Sequence, residues 1–549
     1  MSRLRAALPI LAALFLLNAA LSFHNVWPTV FITWRYEISV EIALLVLALA
    51  LYRERFPPLG RAALRALAAA LFVLALGRYA EVTAPALYGR PVNLYWDAQH
   101  IPKVIAMLAT AAAPWLVALG ALALVALLAG LFLALRWALA RVDRALADRR
   151  WRRGLAAGAA GLVALYALSQ ARVVQRGPTF SLPVSVTYLR QARFVAEAYL
   201  EQRTGRTLPP GERAAAMLAS ADLARLRGAD VLLIFIESYG AAVYDSPEIA
   251  HVVQEGRDRL GAAVTDTGRQ IVSAFVTSPT FGGSSWLAHV TLLTGTTVAD
   301  NGSYSLMLTQ KRATLPRRFA AAGYRTVAVM PGLKAAWPEG AFYGFDRIYG
   351  EADLDYRGPE FGWWRIPDQY SLARLDALEL AGTERAPVLV FFPTISTHTP
   401  FGPTPPYQPD WERVLSDTPF DAEAVAESLA DLPEWTNLQP SYARSVAYSL
   451  TYLAGYLRAR ADRDPVIVVL GDHQPQASVT GPNARWDVPV HVITRNDAIV
   501  DVLLEAGFVA RLTPVDEPIG RMEDLTAVLL RAFSSPGALP APLPHGASE

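Results

Sequence analysis

Long apolar runs crowd the first third of the chain, at about 6–22, 38–52, 62–80, 108–135 and 154–170. Each is near the roughly 17–25 residues an α-helix needs to cross a bilayer, the second and fifth being short, so a bundle of about five transmembrane helices is expected over 1–171. The first run follows Arg3 and Arg5 and has Ala19 and Ala20 near its end, as a signal peptide would. Because further spans follow it closely, it reads as a retained anchor. The segment 172–227 is polar, is punctuated by Pro178, Pro183, Pro209 and Pro210, carries a helical pattern at 186–202, and reads as an extracytoplasmic linker.

Beyond it the pattern changes. Short β-rich runs at 231–238, 270–278, 324–331, 387–397, 465–473 and 488–495 alternate with helical patterns at 246–259, 284–293, 314–322, 368–381, 441–461 and 496–506. Strands apolar on both faces and separated by helices predict an α/β domain over 228–534, a doubly wound and mostly parallel sheet covered on both sides. The tail 535–549 is rich in Pro, Gly and Ser and is expected to be disordered.

Composition supports the division. The chain is 53% hydrophobic over 549 residues, high for a wholly soluble protein. Fifty Lys and Arg against 49 Asp and Glu leave a net charge of +1, which carries no sign of nucleic-acid binding. Cysteine is absent, which excludes disulfides, iron–sulfur clusters and thiolate metal sites.

Arginine placement orients the membrane part. Arg53, Arg55, Arg61 and Arg65 lie between runs two and three, and Arg136, Arg141, Arg144, Arg149, Arg150, Arg152 and Arg153 between runs four and five. Short loops rich in Lys and Arg stay cytoplasmic, so five spans put everything after about residue 172 on the outer side of the inner membrane. The opposite loops, 23–36 and 88–104, mix Trp, Tyr, Arg and His as headgroup-level segments do, and Arg90, Asn93 and Asp97 could there present a lipid to the soluble part.

Ligands of open α/β sheets bind beyond the carboxyl ends of the strands. Glu237 closes the 231–238 run, Asp472 and His473 follow VIVVLG, and His398 follows the run ending in PTIST. In TFGGSSWLAHVTLLTG (280–295) two glycines deliver Ser284 and Ser285 to a helix start. Two carboxylates, an imidazole and a hydroxyl at one sheet edge suit Mn²⁺ or Zn²⁺, with Mg²⁺ a third option. Such an ion coordinated to Ser284 would lower the hydroxyl pKa for attack on phosphorus, beside the positive end of the helix dipole.

These residues resemble the alkaline phosphatase superfamily, in its membrane-anchored branch of lipoteichoic acid synthases, phosphoglycerol transferases and phosphoethanolamine transferases. The resemblance spans about 229–500 and implies a metal held by Glu237, Ser284, Asp472 and His473, with Ser284 as the nucleophile at the helix start. It further implies that His398, in THTPF, binds the substrate phosphate, and that Trp337 contacts a phosphoglycerol group. Glu339 stands where the relatives carry an Arg near that Trp. The segment FGWWRIPDQY (361–370), with Trp363, Trp364, Arg365 and Asp368, resembles a stretch near the family's site. The Cys/Ser-x-Pro-x-Arg signature of sulfate ester hydrolysis is missing, and without cysteine the glycerophosphate-transferring relatives fit better than the phosphoethanolamine ones. Ser285 is read as a helix residue bonding nearby backbone, and His289 and His491 as packing residues.

The resulting expectation is a transferase that moves a headgroup from a phosphatidylglycerol-like phospholipid, through a covalent phosphoserine, to a glycan, glycerol or glycerophosphate hydroxyl. The alternative is a membrane-tethered phosphate ester hydrolase using the same residues.

Overall fold

The computed structural model describes residues 2–26, 29–88, 105, 113–170, 180–204, 212–334, 337–362, 365–382 and 384–539. It divides into two compact units, Met1–Tyr199 and Leu200–Glu549. The division falls later than residue 171, because the helix Val184–Thr204 starts within the first unit.

In the first unit, helices Ser2–Ser22, Val40–Arg55, Arg61–Tyr88, Pro114–Ala145 and Arg149–Gln170 occupy the five apolar runs. Among the described residues, two of them, over Arg61–Leu87 and Pro114–Ala145, are long and apolar enough to cross a membrane, while Ala7–Ser22 is apolar but shorter. The remaining two of the five expected spans fall short on these criteria: Val40–Arg55 has 16 residues and Arg149–Gln170 opens on a basic turn. Strands β1 (Phe23–Asn25) and β2 (Ile32–Trp34) pair antiparallel within the segment 23–36, with Tyr36 almost fully exposed. The segment 88–104, expected as a second outer loop, lies essentially outside the described residues. Buried charges inside this unit are paired: His24 Nε2 lies 2.8 Å from Glu37, and Arg78 Nε donates to the Phe23 carbonyl at 2.9 Å.

The second unit is built on a seven-stranded sheet: β3 (Val231–Ile236), β4 (Gln270–Thr277), β5 (Arg325–Val329), β6 (Arg347–Tyr349), β7 (Val388–Pro393), β8 (Val466–Gly471) and β9 (Asp487–Thr494). Its order is β4-β9-β8-β3-β7-β5-β6. All neighbours pair parallel except β9, which runs antiparallel to both β8 and β4. The sheet is mostly parallel, as expected, and is mixed through β9 alone. The short edge strand β6, only three residues with two of them polar or aromatic, gave no alternating pattern to read.

Alternate residues of β3 enter opposite cores. Val231, Leu233 and Phe235 pack on one face, and Leu232, Ile234 and Ile236 on the other. Burial of both faces is why this strand reads as a continuous apolar run. Central parallel strands β7, β3 and β8 end together, and the residues just past their carboxyl ends converge. Gly471 closes β8 where the backbone just past β3 comes close: a Cβ there would collide with the Tyr239 carbonyl oxygen. That approach requires glycine, and it lets Asp472 and His473 turn in beside β3.

Candidate active site

Glu237 follows β3 directly, and its backbone N–H donates to Thr394 Oγ1 just past β7. Asp472 and His473 follow β8, and all three side chains are buried. One ligand atom from each of Glu237, Asp472 and His473 lies within 4.8 Å of the others, a spacing that one metal ion can bridge.

Hydrogen bonds fix each ligand. Asp472 Oδ1 accepts from the Ser238 and His473 backbone N–H groups at 2.8 and 2.7 Å. Its Oδ2 is buried with no hydrogen-bond partner. His473 Nδ1 lies 2.7 Å from the Gln474 carbonyl, which can only accept, so Nδ1 carries the proton and Nε2 faces Glu237 Oε1 at 3.3 Å. Ser238 Oγ donates to Glu237 Oε1 at 3.1 Å from a left-handed backbone at φ 58°.

Electrostatics describe a cluster short of positive charge. Burial would raise Glu237, but the charges of His473 and His398 hold it well below the usual carboxylate range. Burial and the neighbouring Glu237 charge push Asp472 up to about 8. Burial would lower His473, yet Asp472 and Glu237 raise it to about 9. A bound cation supplies what this set lacks, and the orphaned Asp472 Oδ2 supplies an open coordination position. The residues fit a divalent metal.

The hydroxyl facing this cluster belongs to Ser285. Its Oγ donates to Glu237 Oε2 at 2.8 Å and lies 3.2 Å from His473 Nε2. Gly282, Gly283 and Ser284 all have positive φ, at 67°, 140° and 66°, so the helix begins at Ser285, one residue later than expected. Ser284, assigned above as nucleophile and ligand, is the cap residue before that helix and makes no side-chain capping bond. The sequence alone does not fix this register, since the serines are adjacent and either can open the helix after Gly282 and Gly283.

His289, one helical turn beyond Ser285, packs against the rings of Phe235 and Phe391, as a packing residue does. Its Nε2 is also buried without a partner, 4.0 Å from Asp472 Oδ2, and burial lowers it to about 3, so it is neutral. Spacing i, i+4 from Ser285 was the available signal. His491 is bound by Ser273 Oγ at 2.7 Å and by Tyr239 OH at 3.1 Å, away from the ligand set.

His398 is half-buried in the loop after β7, where Nδ1 bonds the Thr399 carbonyl at 2.8 Å, and its charge acts on Glu237. That loop is held from below. Asp368, fully buried, accepts the Ile395 and Ser396 backbone N–H groups at 2.8 Å each. Burial raises Asp368 to about 6 against these bonds. Asp368→Ala strands the buried Ile395 donor, at about 1–3 kcal/mol, and the part-buried Ser396 donor, at about 1 kcal/mol. We expect a loss of about 2–4 kcal/mol in urea unfolding on that ground; an unchanged midpoint would show the loop to be held otherwise. Trp337 stacks on Tyr343 at 5.4 Å and lines a cavity of about 680 Å³ rather than contacting the ligand set. Trp363 and Trp364 lie outside the described residues, whereas Arg365 pairs with Glu351 at 2.7 Å.

Residues 230–492 match the protein-family model described as Sulfatase. No curated protein matches the sequence. Among solved structures the chain is similar to the lipoteichoic acid synthase LtaP from Listeria monocytogenes, at 14% identity over 56% of this chain and 73% of that one, TM-score 0.37. It is similar to the Streptococcus pyogenes phosphoglycerol transferase GacH, solved in complex with sn-glycerol-1-phosphate, at 13% identity over 60% and 84%, TM-score 0.36. The periplasmic domain of EptC from Escherichia coli gives 14% identity over 49% and 72%, TM-score 0.32.

Proposed function

We propose that this chain, whose residues 230–492 match the family model described as Sulfatase, is a membrane-anchored phospho-headgroup transferase working through a covalent phospho-Ser285. The observation that carries the reading is the Ser285 hydroxyl, 2.8 Å from Glu237 and 3.2 Å from His473 at the open edge of a buried carboxylate–imidazole set.

In the first half-reaction Ser285 Oγ attacks the phosphorus of a phosphatidylglycerol-like lipid. The Oγ–P bond forms, the bond from phosphorus to the diacylglycerol oxygen breaks, and that oxygen departs with the electron pair and takes up a proton. The Ser285 hydroxyl already donates a hydrogen bond to Glu237 Oε2, which orients the attacking lone pair, and the proton that Ser285 gives up on attack is the one the departing oxygen takes. Backbone N–H groups at the start of the helix Ser285–Thr294 face the phosphoryl oxygens with the positive end of its dipole. His398, in the adjoining cleft with Ser396 and Ile395, is assigned to the same oxygens. Glu237, Asp472, His473 and Ser285 would hold one divalent ion, Mn²⁺ before Zn²⁺ or Mg²⁺, which when bound lowers the hydroxyl pKa and offsets phosphoryl charge. In the second half-reaction an acceptor hydroxyl takes the phosphorus, the Oγ–P bond breaks, and the acceptor proton returns to Oγ.

An arginine-rich cytoplasmic side, as expected from the loops, supports an extracytoplasmic catalytic unit with access to outer-leaflet lipid. Full-length protein given Mn²⁺ and phosphatidylglycerol labelled in its headgroup should release diacylglycerol and retain label until an acceptor hydroxyl is added. Free glycerophosphate appearing at one rate with or without acceptor would replace transfer by hydrolysis. No diacylglycerol release would end the reading.

A further inference from the structure

Ser285 and His289 share the helix Ser285–Thr294 and stand one turn apart on one face of it. The hydroxyl reaches Glu237 and His473, while the imidazole reaches the remaining member of the set: its Nε2 lies 4.0 Å from Asp472 Oδ2. Both atoms are buried without a hydrogen-bond partner. The two orphans face one another across a gap about 1 Å longer than a hydrogen bond.

Packing alone does not account for the imidazole. His289 lies edge-on to Phe235 and Phe391, with ring centroids 4.6 and 5.3 Å away, a place that an apolar side chain of the same volume fills without burying a polar atom. A nitrogen left unpaired there forfeits the hydrogen bonds it makes to water. The other buried polar side chains of this helix forfeit nothing: Thr291 Oγ1 accepts from the Val298 N–H at 3.0 Å, and Thr294 Oγ1 donates to the Val290 carbonyl at 2.7 Å. His491 is satisfied at both nitrogens, by Ser273 and Tyr239. Among the described residues, His289 alone of the histidines has a buried nitrogen without a partner.

Asp472 has the complementary need. Its Oδ1 is filled by two backbone N–H groups, and its Oδ2 carries lone pairs enough for an ion and one donor together. Carboxylates that ligate a metal do so ionised and are themselves held by hydrogen bonds. His289 is neutral, burial having lowered it to about 3, so it can donate one proton without bringing a charge that repels a cation. It does not stand among the ligands, since the ligand atoms within 4.8 Å of one another come from Glu237, Asp472 and His473.

We propose that His289 is a positioning residue for the metal centre: its Nε2–H donates to Asp472 Oδ2 and holds that carboxylate in the orientation that grips a divalent ion, with His473 the one nitrogen ligand. The 4.0 Å gap closes as the carboxylate takes the ion. The proposal rests on the metal set of the reading above and is independent of the group transferred.

The test is Mn²⁺ binding to the full chain in nanodiscs, followed by loss of the free-ion EPR signal, which needs no turnover. His289→Met keeps the volume between the two rings and removes the donor, and its dissociation constant for Mn²⁺ should rise about 10–100-fold. His289→Gln restores a donor near the Nε2 position and should return the constant to within about threefold of wild type. Metal-free melts should put the Met variant no lower than wild type, because an unpaired buried nitrogen has been removed. A Met variant that binds Mn²⁺ as tightly as wild type, a Gln variant no better than Met, or a lower metal-free melt for Met overturns the proposal. So does a second histidine nitrogen on the ion in the electron spin echo envelope of wild type, which would make His289 a ligand. Failed headgroup labelling with His289-dependent Mn²⁺ binding intact would instead remove the transferase reading and leave the metal centre.

Discussion

Replacing Ser285 by Ala is expected to abolish covalent labelling of the protein and lower turnover by about 10⁴-fold or more, the scale on which loss of a nucleophile is felt. The side chain removed is the hydroxyl that donates to Glu237 Oε2, and no other described hydroxyl reaches both Glu237 Oε2 and His473 Nε2. Ser284 supplies the control. It sits at φ 66°, a conformation that costs a non-glycine residue about 1–2 kcal/mol. Ser284→Gly removes that strain along with the hydroxyl, so it should leave labelling intact and change stability by no more than about 1 kcal/mol, in the stabilising direction. Phosphopeptide mass spectrometry across 280–295 reads both variants, because the mass increment on the peptide also identifies the transferred group. Label persisting in Ser285→Ala and vanishing in Ser284→Gly would return the nucleophile to the earlier position.

That one-residue difference shows where the sequence stopped being informative. Runs such as VLLIFIE and VIVVLG reveal themselves as strands because both faces are buried, and their carboxyl ends name Glu237, Asp472 and His473 without any coordinates. The six expected helices begin within two residues of their observed starts, although the one expected over 246–259 runs on to Asp266, and Asn301–Leu308, Ala422–Ala430 and Met522–Phe533 were not expected. Side-chain direction at the start of a helix depends on whether the residue before it is helical or left-handed. Two glycines permit either, so the choice between Ser284 and Ser285 was invisible. Strand direction was invisible for a related reason: VPVHVIT is apolar on both faces whether it runs with β8 or against it. Charge pairing across the cavity was hidden too, because Arg365 meets Glu351 fourteen residues away through a fold that no local pattern encodes.

Metal supplies the other large effect. Adding Mn²⁺ at about a hundred times its dissociation constant should raise stability by about 2.7 kcal/mol, and chelation should stop labelling altogether. Asp472→Asn should erase both responses. Asparagine keeps an acceptor for the Ser238 and His473 N–H groups but gives up the negative Oδ2 that has no partner of its own. The metal-free proteins should then differ in sign. Asp472 is raised to about 8 and His473 to about 9, so both hold protons more tightly folded than unfolded. Stability from such groups is complete below their unfolded values and is lost as pH climbs from there through the folded ones, so metal-free wild type should weaken from about pH 4 to about pH 9, the share above pH 7 coming from both groups. The Asn variant lacks the Asp472 share of that loss and should match or exceed metal-free wild type at the alkaline end. Thermal melts at pH 7, 8 and 9, with and without Mn²⁺, separate the cases: an equal Mn²⁺-dependent rise in wild type and Asp472→Asn would mean that the ion, if one binds, is gripped somewhere else.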